Sequence, residues 1–463
     1  MPKIRGRMFK NVIFLLAFAP WAFAFAAVAP ETEPTAKENK PITAVLSEIS
    51  AKNIEATIRK LVSFGTRHTL SDAQSDTRGI GAARRWIQSE FERYSKENGG
   101  RLEVTVDDFT QPPGERNPQP VQVVNVVATL PGTQPESRDR IYVVSGHYDS
   151  RVTDVMNATA DAPGADDDAS GVAAVTEMAR VMSKKNWDAT LVFMAVAGEE
   201  QGLFGSTHWA KMAKEKNWNI AGMITNDIIG SSHADDGRVV KDHVRLFAEG
   251  VPPLKEMPDP LRTLVRTGGE NDSLARELAR FIKPEAEKHV RGMTVDIIYR
   301  RDRYLRGGDH SPFLDAGFPA VRMTEPNEDF RHQHQDLRKE NGVQLGDLPE
   351  FCDFDYIAQV TRVNATALGA LALAPGVPAN VEVETKELTN STTLQWKPNP
   401  EPDLAGYEIV WRDTTAPLWQ HTIAVGNVTR FTVPVSKDNV LFGVRALDKD
   451  GNKSPASYPI PHR

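Results

Sequence analysis

The chain is almost without cysteine. Cys352 is the single one in 463 residues. No intrachain disulfide can form, so the fold must rest on its buried core and on any bound metal. We expect that thiol to be buried and assign it no role. A surplus of cations is missing as well. The formal net charge is −7, which argues against the basic surface that a nucleic-acid partner favours. Beyond residue 26 no apolar run is long enough to cross a bilayer. Two common hydrolytic signatures are also absent. There is no Gly-x-Ser-x-Gly turn to expose a nucleophilic serine, and no His-Glu-x-x-His helix to bind a single zinc.

What is present begins with a leader. Lys3, Arg5, Arg7 and Lys10 precede an apolar run from Val12 to Ala26 that closes on Ala24-Phe25-Ala26. The run is short for a membrane span, and Pro20 interrupts it. It reads as a signal peptide over residues 1–26, which predicts a secreted protein, periplasmic or extracellular. Its removal takes away four cations and no acid, leaving the mature chain more acidic still. Residues 27–40 are polar and punctuated by proline, and read as a flexible segment.

From about residue 41 the pattern is that of a folded domain. The composition, 40% hydrophobic and 25% charged, is that of an ordinary globular protein. The length favours two domains. Helical periodicity marks Ala82 to Tyr94 and Gly171 to Lys184, while Val121 to Leu130, Ile141 to Val144 and Thr190 to Ala197 read as buried strands. The alternation predicts an α/β domain over 41–373 with a mostly parallel central sheet flanked by helices. Functional sites in that class lie beyond the carboxyl ends of the strands. After the boundary near Leu371 to Pro378, six short strands separated by turns predict an all-β sandwich over 374–463. That module holds no cluster of chemical groups, so we expect it to be dispensable for chemistry.

Five segments carry metal-type ligands: Gly146-His147-Tyr148-Asp149-Ser150, Pro163-Gly-Ala-Asp166-Asp167-Asp168-Ala-Ser-Gly171, Gly198-Glu199-Glu200, Asn226-Asp227 and His332-Gln333-His334-Gln335-Asp336. Imidazole nitrogen and carboxylate oxygen both suit zinc, at about 2.0–2.2 Å. A pair of ions about 3.5–4 Å apart needs an anionic bridge, and a carboxylate with two oxygens supplies one. Asp166 and Asp168 stand where a helix begins and suit capping rather than ligation.

Taken together, these segments resemble the co-catalytic di-zinc aminopeptidases of the secreted bacterial leucyl aminopeptidase type, relatives of glutamate carboxypeptidases and glutaminyl cyclases. The resemblance covers roughly residues 45 to 370. It implies two Zn²⁺ ions, with His147 and Asp227 on one, Glu200 and His332 on the other, and Asp167 bridging both. It also implies that Glu199 is the general base, taking a proton from a water that bridges the ions. His332 is preferred to His334 because the family's ligand stands four residues before an acidic position, here Asp336. In an extended segment both rings would face the same side, so direction does not decide. Asp149 is expected to orient His147, and Asp309 and His310 are candidates for the substrate pocket or for supporting the ligands. The C-terminal segment containing Trp396, Tyr407 and Trp411 resembles a fibronectin type III domain. The implied activity is hydrolysis of apolar N-terminal residues from peptides, with a carboxypeptidase or glutaminyl cyclase as the alternative. A non-catalytic ectodomain would be expected to have lost some of these groups.

Overall fold

The computed structural model describes residues 39–252 and 258–462. The leader at 1–26 and residues 27–38 of the polar segment lie outside the described residues. Among the described residues no helix is long and apolar enough to cross a membrane.

Eight strands form the main sheet: β1 (Glu103–Gln111), β2 (Val121–Leu130), β3 (Arg140–His147), β4 (Thr190–Val196), β5 (Asn219–Asn226), β6 (His243–Ala248), β7 (Thr294–Ile298) and β8 (Ala320–Thr324). Their spatial order is β1-β2-β4-β3-β5-β8-β6-β7. The four central strands β4, β3, β5 and β8 run parallel. Antiparallel pairings flank them at β1–β2, β2–β4 and β8–β6. The sheet is therefore mixed, with a parallel centre.

The reason lies in which strands are covered. β4 reads Thr-Leu-Val-Phe-Met-Ala-Val and every residue is buried, as expected of a strand packed on both faces. Leu191, Phe193 and Ala195 face a core built with helices α1 (Lys40–Glu48), α2 (Ala51–Val62), α3 (Gly79–Glu97), α4 (Ala169–Met182), α7 (Leu274–His289) and α9 (Phe354–Leu373). Val192, Met194 and Val196 face the opposite core, with Trp209 of α5 (Phe204–Glu215) and Phe313 of α8 (His310–Asp315). A further helix, α6 (Asp259–Arg266), buries none of its residues. Cys352 is half-buried rather than buried.

A two-stranded hairpin, β9 (Arg338–Glu340) and β10 (Val343–Leu345), follows the histidine segment. Beyond α9 come β11 (Glu382–Glu384), β12 (Thr392–Gln395), β13 (Leu404–Asp413), β14 (His421–Gly426), β15 (Arg430–Val433), β16 (Val440–Asp448) and β17 (Ile460–His462). They form a four-stranded sheet, β15-β12-β11-β17, and a three-stranded one, β14-β13-β16. Val381, Leu394, Trp396, Tyr407, Ile409 and Val444 fill the space between them. β17 is absent from the sequence reading. Only three residues long and led by Ile460-Pro461, it pairs parallel with β11 at the sheet edge.

These sheets are not loosely tethered. Arg412 pairs with Asp272, and both side chains are only 2% exposed. Glu277 of α7 accepts hydrogen bonds from Tyr458 Oη (2.7 Å) and the Ala456 amide (2.8 Å), and pairs with Arg280 (2.9 Å). Arg280 in turn donates to the Pro417 carbonyl (2.7 Å). A chain ending near Ala374 would strip partners from Asp272, Glu277 and Arg280, although it keeps every proposed ligand. Breaking one buried pair costs about 3–5 kcal/mol because the other charge stays uncompensated, whereas an exposed pair is worth about 0–1 kcal/mol. Arg412→Met is therefore expected to destabilise the protein strongly in urea denaturation. Arg430→Met, which breaks the exposed pair with Glu384, should hardly do so. Equal losses would contradict a tightly docked C-terminal module.

Candidate metal centre

One edge of the main sheet gathers the chemistry. His147 is the last residue of β3, Glu199 and Glu200 follow β4, Asp227 follows β5, and the histidine segment follows β8. All four strands are parallel neighbours, so these are their carboxyl ends, where α/β sites form. The amino end of α4 enters at the same edge. A β-carbon on Gly146 would lie 2.5–2.6 Å from backbone atoms of Gly171 and Val172, and one on Gly171 would lie 2.5 Å from the Asn226 carbonyl. Only glycines allow helix and sheet to approach this closely. Asp168 caps α4 by accepting from Gly171 N (2.9 Å), and its other oxygen accepts from His147 N (2.9 Å). Asp166 accepts from Gly230 N at 2.6 Å.

Among the described residues, two groups of side chains converge tightly enough to hold a cation each: His147, Asp167 and Asp227, and Asp167, Glu200 and His334. Asp167 belongs to both. Its Oδ1 lies 3.0 Å from His147 Nε2, and its Oδ2 lies 2.8 Å from His334 Nε2. His147 Nε2 is 4.0 Å from Asp227 Oδ1, and His334 Nε2 is 2.9 Å from Glu200 Oε1. Glu200 Oε1 is buried with no well-aligned hydrogen-bond donor, its close neighbour being the His334 ring; a cation between them would be satisfied by both. Each group offers one imidazole and two carboxylates, a donor set that fits zinc.

The expectation for His332 is corrected here. Its ring stacks on Phe351, with centroids 3.6 Å apart and planes 9° from parallel, and its Nδ1 is 3.7 Å from Asp329. It joins neither group. The segment is not extended: His334 has φ +54°, and turn hydrogen bonds link His332 N to Asp329 O (3.0 Å) and Gln335 N to His332 O (3.3 Å). The turn sends the two rings to different places, and His334 takes the position expected of His332. Gln333 Nε2, also unforeseen, donates to Asp167 Oδ2 at 3.0 Å.

A supporting layer surrounds these groups. Nδ1 of His147 meets the Asp149 backbone carbonyl at 3.1 Å and the carboxylate only at 3.6 Å. The Asp149 carboxylate instead accepts from Thr69 Oγ1 (2.9 Å) and from the amides of Glu199 (3.3 Å) and Glu200 (3.2 Å). It thereby ties the loop after β3 to the loop after β4. Asp309 is buried, and neither of its carboxylate oxygens has a hydrogen-bond partner. His310 is buried too, but its Nε2 meets the Arg301 carbonyl (2.8 Å) and lies 3.6 Å from Asp302. Sequence reasoning missed Arg322 on β8. Fully buried, it pairs with Asp227 Oδ1 (2.9 Å) and Asp302 Oδ2 (3.2 Å). An arginine within the buried run Ala-Val-Arg-Met-Thr was the available signal. Asp347, likewise missed, accepts from the amides of Asp166 (2.8 Å) and Asp167 (2.8 Å).

Charge is concentrated here. Burial opposes protonation of His334, but Glu200 and Asp167 outweigh it and lift its pKa to about 10. His147 is raised despite its burial by Asp149 and Asp167. A divalent ion must displace those protons to use the ring nitrogens. Burial, with Asp227, Glu200 and Asp309 adding repulsion, pushes Glu199 well above the usual carboxylate range. Asp309 is pushed up to about 7, again chiefly by burial, and Asp347 to about 7 for the same reason. Burial pushes His310 down to about 4, so it is neutral near pH 7.

Two groups that could each hold a cation and that share one carboxylate, at the carboxyl edge of an α/β sheet, are the equipment a metallohydrolase needs. The sequence model of Peptidase family M28 matches residues 125–344, which include every group above from His147 to His334. A protein of Leptosphaeria maculans named "Probable zinc metalloprotease" is 53% identical over 433 residues, covering 94% of this chain and 98% of the relative. One of the same name from Pyrenophora teres f. teres is 52% identical over 421 residues, covering 91% and 87%. The chain belongs to peptidase family M28 and is a zinc metallopeptidase. Among solved structures, LapA of Legionella pneumophila matches with a TM-score of 0.51 at 20% identity, over 73% of this chain and 77% of that one. An aminopeptidase from Aneurinibacillus sp. strain AM-1 matches with a TM-score of 0.51 at 16% identity, over 72% and 97%. At that identity the likeness is one of fold.

Proposed function

We propose that the protein is a secreted aminopeptidase that binds two zinc ions and removes apolar N-terminal residues from peptides. The observation that carries this reading is Asp167, whose two oxygens point to two different imidazoles, His147 and His334, each with a further carboxylate beside it. His147 and Asp227 would hold one ion, Glu200 and His334 the other, and Asp167 both. When bound, the ions supply Lewis acidity, polarising the scissile carbonyl and making water easier to deprotonate.

The chain's own groups do the rest. Glu199 belongs to neither ligand group, yet its amide is fixed by Asp149. Its carboxylate takes a proton from the attacking water and passes it to the leaving amine. The environment that raises its proton affinity suits that exchange, and bound cations nearby would pull the pKa back down. Asp309 is close enough to Glu199 to raise its pKa, and it offers two buried acceptor oxygens without a donor. A substrate ammonium group is a fitting partner. The two C-terminal sheets support reading residues 374–463 as a fibronectin type III-like module that stabilises the enzyme.

The test uses free and N-acetylated leucyl anilides. The free-amine substrate should be cleaved, chelation should abolish the activity, and added zinc should restore it. Equal turnover of the acetylated substrate would contradict the aminopeptidase reading.

A further inference from the structure

Arg151 stands beside the Glu200–His334 half of the centre. Its Nη2 lies 3.1 Å from His334 Nδ1, and its Nε lies 3.6 Å from Glu200 Oε2. The side chain is 17% exposed, and its Nε is buried without a hydrogen-bond partner. Among the described residues, Glu200 is its sole carboxylate neighbour within 4.0 Å. A second guanidinium, that of Arg116, donates to the Glu200 carbonyl at 2.8 Å from the other side.

The His334 ring offers Arg151 no anion, and Glu200 Oε2, at 3.6 Å from its Nε, stands beyond hydrogen-bond distance. Arg151 therefore carries several donors beside the ligand groups with no carboxylate hydrogen-bonded to it among the described residues.

We propose that Arg151 is a specificity residue that binds a carboxylate of the peptide substrate close to the scissile bond. The inference rests on the aminopeptidase reading only for which end of the peptide is cut. A guanidinium fork suits a carboxylate because two N–H groups can meet its two oxygens. The anion could be the α-carboxylate of a dipeptide, or an acidic side chain before or after the bond.

The experiment compares kcat/KM of the zinc-loaded protein on Leu-Leu, Leu-Leu-amide, Leu-Glu-amide, Glu-Leu-amide and N-acetyl-Leu-Leu. At least one carboxylate-bearing peptide should exceed Leu-Leu-amide by about ten- to hundredfold, the scale of one charge-assisted contact. The peptide that does so identifies which carboxylate is read. Arg151→Met should erase the ratio while keeping the zinc content measured by elemental analysis, and Arg151→Lys should restore part of it. A binding readout is calorimetry with zinc-loaded Glu199→Ala, in which the preferred peptide should bind more tightly than Leu-Leu-amide, and no longer so once Arg151→Met is added. No carboxylate preference in the native protein, or an Arg151→Met that slows every peptide equally or sheds zinc with the ratio intact, would overturn the proposal. Cleavage of N-acetyl-Leu-Leu as fast as Leu-Leu would instead sink the aminopeptidase reading, whatever Arg151 does.

Discussion

Replacing Glu199 with alanine is expected to leave both ligand groups intact and to slow turnover by about 10²–10⁴-fold, the scale of a positioned proton-transfer group. The two adjacent glutamates follow the same strand, but the structure gives them different surroundings. Glu200 Oε1 lies 2.9 Å from His334 Nε2 and belongs to a ligand group. Glu199 joins neither group, and its carboxyl is held protonation-prone by burial and by Asp227, Glu200 and Asp309. Glu199→Ala should therefore retain the native zinc content, while Glu200→Ala should lose metal together with activity. Near-native turnover in Glu199→Ala, with zinc retained, would end its role as the base.

The second large effect separates two histidines that are neighbours in sequence. His334→Ala removes one of three side chains from the Asp167–Glu200–His334 group and leaves a pair of carboxylates, a much poorer zinc site. It should bind about one zinc fewer than the native protein and lose nearly all activity. His332→Ala removes a ring stacked on Phe351 and should keep the full complement of metal, with at most a modest loss of stability. The reverse pattern, measured by elemental analysis of folded variants, would return the ligand to position 332.

That pair also shows where the sequence stopped being legible. The sheet could be read because β2 and β4 are long, apolar and covered on both faces, and the ends of such strands indicate the edge where ligands gather. His147, Glu200 and Asp227 could be placed at that edge because each lies at or just beyond the end of a strand, and Asp167 stands just before a helix; that the four act together as ligands came from the family resemblance. The histidine segment has no such pattern. Alternation assumes an extended chain, and a positive φ at His334 breaks that assumption. The turn is held by bonds within the segment, His332 N to Asp329 O and Gln335 N to His332 O, which no periodic pattern announces. Arg322 and Asp347 were hidden for a related reason. Their importance comes from the groups they meet across the fold, Asp227 in one case and the Asp166–Asp167 amides in the other; the apolar run around Arg322 signals its burial but not its partner, and nothing local announces Asp347. Six of the seven C-terminal strands were legible, nearly in extent, and β17 was not. Their tight seam with α7, through Asp272, Glu277, Arg280 and Arg412, was not, because a buried ion pair between distant segments leaves no local periodicity.

The most direct measurement is an anomalous difference map at the zinc edge from crystals of the native protein. Two peaks are expected, one between His147 and Asp227 and one between Glu200 and His334, with Asp167 reaching both. A single peak, or a peak held by His332 in place of His334, would contradict the two-zinc centre.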